Sequence, residues 1–255
     1  MTQPPPSSEP PPPDPTTRLD PPAAPGPVGV PTATWGAARA LGGLAILLVV
    51  TALGAGIVAG IEGGEIDSLA ARLSAQLILV AALIGVCFFA VNDTDRPPGT
   101  SVWSQLGMRR PLRPAVGATI LAYVAYIAVA IVIAGLLNPE QEDVTRELGV
   151  DEGTLGAIAA GLLIIVGAPL SEEIFFRGFL FAGIRRSAGF VVGALASSGI
   201  WGLFHYTGSD SWPVVLQLTI FGVVLAWLYE RTGSIWPTIA VHAFNNAVAF
   251  TVLTS

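Results

Sequence analysis

Six residues in this chain combine reactive side chains with surroundings that ought to exclude them: Glu172, Glu173, Arg177, His205, His242 and Asn246. Thr154 to Leu170 carry no charge, and beyond Arg177 the chain continues Gly-Phe-Leu-Phe-Ala-Gly. Adjacent carboxylates there would sit at membrane depth, where an ionisable group costs at least ~2.5 kcal/mol and marks function by default. Glu173 and Arg177 are four apart with Glu first, so they share a helix face and can pair. Glu172 points roughly 100° away from that pair and has no local partner. It must look to another helix, to water or to a metal. His205 and His242 are the only histidines, and both fall in apolar spans. His242 and Asn246 share one face of the last span, with Asn245 on a different face. The competing reading is a purely structural ion-pair cluster. Two histidines out of two beside an unpaired carboxylate weigh against it.

Composition sets the solvent. Of 255 residues 52% are hydrophobic and only 12% charged, with a mean hydropathy of +0.66, whereas soluble domains run near ~25% charged. The chain reads as an integral, multi-pass membrane protein. Its single cysteine, Cys87, lies in an apolar run and offers no disulfide, so it reads as a small buried hydrophobe. All 12 basic residues are scattered arginines, which excludes a nucleic-acid surface. No GxxxxGK[ST] phosphate loop is present.

Residues 1–34 hold 13 of the 21 prolines. Such a segment cannot bury a core and is expected to be disordered, a solvated spacer first and an arm for an unknown protein partner second. Apolar spans follow at 37–60, 69–91, 115–137, 154–182, 189–206, 213–229 and 235–253. These predict an all-α transmembrane bundle of about seven spans, divided into supporting helices over 35–150 and a catalytic core over 151–255. Pro169, three residues before Glu172, predicts a kink ahead of the carboxylates. Loop charge alternates. Glu62, Glu65 and Asp67 precede a loop with Arg96, Arg109, Arg110 and Arg113. Then Glu140, Glu142, Asp143, Glu147, Asp151 and Glu152 precede Arg185 and Arg186. By the positive-inside rule the N-terminus is cytoplasmic.

Glu172-Glu173-x-x-x-Arg177, Trp201-x-x-x-His205 and His242-x-x-x-Asn246 occur in this order on separate spans. Together they resemble the EExxxR, FxxxH and HxxxN motifs of the CPBP family, which includes CAAX-type prenyl endopeptidases and bacteriocin-processing, Abi-like proteins. The resemblance covers about residues 150–253. Trp201 in place of Phe is a departure that bears on packing beside the histidine. The resemblance implies hydrolysis of a peptide bond in a membrane-associated, lipidated or CAAX-type substrate. In that assignment Glu172 activates water with help from His205, His242 and Asn246 stabilise the oxyanion, and Glu173 and Arg177 support the constellation.

Two mechanisms stand open at this point. Glu172, His205 and His242 with a water would complete a tetrahedral catalytic zinc site; alternatively the glutamate and histidines act without metal. The competing functions are a transporter or proton relay, since intramembrane Glu and His also mark ion paths, and a non-catalytic immunity-type scaffold. Counted from the ends of straight spans, Glu172 and His205 fall near opposite faces. A single site therefore needs either strongly tilted helices or a fifth span that begins later, with Arg185 to about Val192 at the interface, and the later start is the expectation. Glu172 and His242 count to the cytoplasmic half, which predicts a mouth on that side.

Overall fold

A computed structural model of the chain describes residues 33–92, 98–111, 115–137, 139 and 144–254. The Pro-rich tail up to residue 32 lies outside them, as do Arg96, Arg113, Glu140, Glu142 and Asp143. The described residues are all-α, with no strand among them. This follows from the uncharged runs, since a helix satisfies its own backbone where no water can.

In chain order the helices are α1 (Ala37–Glu62), α2 (Leu69–Val91), the short α3 (Val102–Gln105), α4 (Ala115–Leu137) and the short α5 (Val144–Glu147). Then come α6 (Thr154–Leu203), α7 (Trp212–Thr232) and α8 (Trp236–Thr254). Among the described residues five stretches are long and apolar enough to cross a membrane: α1, α2, α4, α6 and Ser209–Thr232, which contains α7. Three polar residues, His242, Asn245 and Asn246, dilute α8, which nevertheless packs on α4, α6 and α7. Two short helices occupy segments the sequence reads as loops. Ser101 and Ser104 explain one of them, because they form a reciprocal capping box at the start of α3.

The fourth and fifth expected spans are one helical run that folds back on itself. Gly189 adopts φ 82°, ψ 174° inside α6, a left-handed conformation open to glycine and costly for other residues. The chain reverses there. A Cβ on Gly193 would stand 3.0 Å from the backbone of Arg185, so the two arms meet tightly at the reversal. The turn falls within the segment from Arg185 to Val192, but that segment is helical on both sides of Gly189. The depth conflict disappears with it. Glu172 stands 17 residues before Gly189 and His205 16 residues after, each ~25 Å from the turn in helical rise, so a hairpin sets them level.

The described residues pass along the bundle in alternating directions, and loop charge separates accordingly. At one end Arg186 donates to the Ala33 carbonyl, Arg185 pairs with Glu230, and Ser234 donates to the Arg109 carbonyl. At the other end Arg72 pairs with Glu152. The core lies around the middle of α6, where Phe175, Phe176, Phe179, Leu180 and Phe181 are buried. Trp35 docks the start of α1 on it, donating its indole N–H to the Phe179 carbonyl at 3.0 Å and stacking on the Phe179 ring.

Candidate active site

Glu173 is the fixed point. It is fully buried, and its Oε1 accepts from Arg177 Nη1 at 2.9 Å and from His242 Nδ1 at 3.0 Å. A buried charge is tolerable only when paired and hydrogen-bonded, and Oε1 meets both conditions, whereas Glu173 Oε2 and Arg177 Nη2 are buried without a hydrogen-bond partner among the described residues. The carboxylate can only accept, so Nδ1 of His242 carries a proton. Its Nε2 is thereby turned toward Glu172, 4.0 Å from Oε2. The Arg177 guanidinium lies over the Trp201 ring, 4.6 Å from its centroid, in cation–π geometry.

The partner of Glu172 is Trp201, on the returning arm of α6. The indole N–H donates to Oε2 at 2.6 Å. The aromatic position of the second motif is thus a donor to the first motif as well as packing. Only the indole in a place where Phe is expected signals this in the sequence. His205, one turn beyond, donates Nδ1–H to the Trp201 carbonyl at 2.9 Å, which leaves Nε2 with its lone pair free. Both histidine rings meet Trp201 edge-on with centroids at 5.3 Å. Tyr126 and Phe221 close the wall behind them, stacked at 4.2 Å.

The kink expected at Pro169 takes the form of a π-helical turn at Leu163–Gly167. In that turn Ala168 N–H donates to the Leu163 carbonyl. The next bond in register would run from residue 169 to the Ile164 carbonyl, and proline has no N–H to give. Asn246 Nδ2 supplies it instead, at 2.9 Å. Asn246 is therefore pinned to α6, and an oxyanion role would rest on its second amide hydrogen. A second π-helical stretch, Glu173–Phe181, carries Glu173 and Arg177. Such irregularities concentrate at functional sites.

Glu172, Trp201, His205, His242, Asn245 and Asn246 all line one cavity of about 390 Å³. The structure brings the predicted residues together, with Glu173 and Arg177 immediately behind. The cavity lining extends from them to Thr145 and Leu148 around α5 and to Thr207 and Ser211 before α7. This is the end of the acidic loops, opposite to the mouth expected from counting. The depths of Glu172 and His242 locate the floor of the cavity. A second hollow of about 690 Å³ lies between α1 and α2 and contains none of these residues.

Among the described residues no group of three or more His, Cys, Asp or Glu side chains is gathered to hold a metal ion. Glu172, His205 and His242 line the same cavity without forming such a group.

Residues 154–248 match the family described as type II CAAX prenyl endopeptidase Rce1-like. The chain is 32% identical over 146 residues to the Bacillus subtilis (strain 168) protein named "Putative membrane peptidase YdiL", covering 54% of this chain and 58% of that one. It is 32% identical over 97 residues to the uncharacterized protein YyaK of the same organism, covering 35% and 31%. It is 30% identical over 105 residues to the UPF0177 protein YxdF of Lactococcus lactis subsp. lactis (strain IL1403), covering 40% and 56%. The chain spans less than two thirds of each relative's length. No solved structure matches it. The family match takes in every one of the three motif-bearing segments, and over residues 154–248 the chain is similar to the type II CAAX prenyl endopeptidase Rce1-like family.

Proposed function

We propose that this chain is an intramembrane endopeptidase that hydrolyses a peptide bond in a membrane-associated substrate, with a prenylated CAAX-type segment as the favoured class. The observation that carries the reading is the convergence of Glu172, His205, His242 and Asn246 on one cavity inside an apolar bundle. Phe176, Phe204, Leu218 and Phe250 make much of its wall, a surface suited to a lipid chain or an apolar peptide.

In this reading a water sits between Glu172 and the free Nε2 of His205. Glu172 takes its proton as the oxygen attacks the scissile carbonyl. His242, protonated on both nitrogens, donates Nδ1–H to Glu173 and Nε2–H to the developing oxyanion, and Asn246 offers its second amide hydrogen. Glu172 then returns the proton to the leaving nitrogen as the C–N bond breaks. Glu173 and Arg177 hold His242 and the α6 backbone in place. Residues 151–255 would carry the catalytic core, with the N-terminus on the cytoplasmic side.

The test compares protein termini by mass spectrometry in cells carrying wild type, a deletion, and Glu172→Gln at matched expression. New termini that vanish in both the deletion and Glu172→Gln support proteolysis and name the substrate. Identical termini in all three, where the deletion still has a phenotype, would favour a proton relay or a scaffold. Purified enzyme treated with 1,10-phenanthroline is expected to keep its rate within about twofold, whereas loss of activity restored by added zinc would assign a metal.

A further inference from the structure

We infer that Trp201 is a positioning residue for Glu172: its indole N–H fixes one carboxylate oxygen and so keeps the base from collapsing onto His242. The inference rests on the proteolytic reading for its consequence, but the contact itself stands apart from it.

Trp201 is 1% exposed, and a buried indole N–H without an acceptor is costly. Its acceptor is Glu172 Oε2 at 2.6 Å, a charge-assisted bond of the stronger class. The same oxygen lies 4.0 Å from His242 Nε2, beyond hydrogen-bond distance. Oε2 thus stands between two competing donors, and the indole holds it. Among the described residues no protein donor reaches Oε1, and Glu172 lines the cavity, so Oε1 is the oxygen left for water. Without the indole N–H, a small rotation of the carboxylate would bring Oε2 onto His242 Nε2. That contact would occupy the nitrogen needed at the oxyanion and turn the base away from its water. A phenylalanine at this position preserves the arene under Arg177 and between the histidines but supplies no donor.

Two measurements test this. In 15N-indole-labelled protein in nanodiscs, the Trp201 signal is assigned by its loss in Trp201→Phe. It is expected downfield of the other indoles and to move upfield in Glu172→Gln; a signal indifferent to Glu172→Gln overturns the contact. The second measurement replaces Trp201 with its benzothienyl isostere, which exchanges the N–H for sulfur and keeps ring size and stacking. On a peptide carrying the bond identified from the cellular termini, kcat is expected to fall roughly 10- to 100-fold with KM within about twofold. Wild-type kcat in the isostere would overturn the positioning role. If Glu172→Gln leaves cellular termini unchanged, the proteolytic reading falls, and the NMR result alone decides the contact.

Discussion

Helices α1 and α4 on one side and α7 on the other are apolar toward different neighbours. The most apolar stretch of α1 is 11% buried and that of α4 17%, against 39% for Ser209–Thr232. Leu53, Ile57, Ile120 and Leu136 of the first group face outward, where hydrocarbon is their solvent. In the second group α7 turns Phe221, Leu225 and Tyr229 inward, against the helices that hold Glu173, Arg177 and His242. The hydropathy of a helix therefore reports its solvent, while its buried polar contacts report its task. Substitutions should separate the two halves by orders of magnitude.

The largest effect is expected at Glu172. Glu172→Gln keeps an acceptor for the Trp201 N–H and removes the base, so cleavage should fall about 10³-fold with little change in thermal unfolding. A comparable loss of stability would instead make Glu172 a structural member of the cluster.

Next comes Arg177. Replacing it with Met leaves Glu173 buried and without its cation, a change of the kind that costs about 3–5 kcal/mol. It also leaves His242 as the remaining donor to Glu173 Oε1 among the described residues. Unfolding in detergent would register the cost. A shift below about 1 kcal/mol would mean that water or another group has taken the place of the guanidinium.

Much of this was legible in the sequence because the rules involved are local. Uncharged length gave the helices, i,i+4 spacing gave the Glu173–Arg177 pair, and motif order gave the residues that meet at the cavity. What the sequence did not yield depends on where the chain turns back. With the fourth span ended at residue 182, Glu172 and His205 counted to opposite faces; the reversal at Gly189 sets them level. The indole bond to Glu172 and the direction of the cavity mouth both follow from that hairpin, and neither leaves a periodic trace. A lone Gly in a Gly-rich helix does not announce a turn.

The Pro169–Asn246 relation allows a finer test. Asn246→Ala strands the Ile164 carbonyl, at about 1–2 kcal/mol. Pro169→Ala returns the backbone N–H that would reach the same carbonyl, so in that background Asn246→Ala should cost clearly less. A double-mutant cycle on unfolding free energy isolates this coupling. Equal costs in both backgrounds would show that the proline and the asparagine act independently.

The smallest effect belongs to the outer half. Leu53 is 63% exposed on α1, and in a bilayer Leu53→Ala exchanges side-chain contacts for lipid contacts without bringing apolar surface to water. The driving force that makes a buried Leu→Ala costly in a soluble core is largely absent there, and the expected change is within about 0.5 kcal/mol, with cleavage unaltered. Because Trp35 ties the start of α1 to Phe179, the control must sit away from that contact, as Leu53 does. A large loss of activity on Leu53→Ala would mean that this face is covered by protein in the membrane, and the division between lipid-facing and site-holding helices would have to be redrawn around that partner.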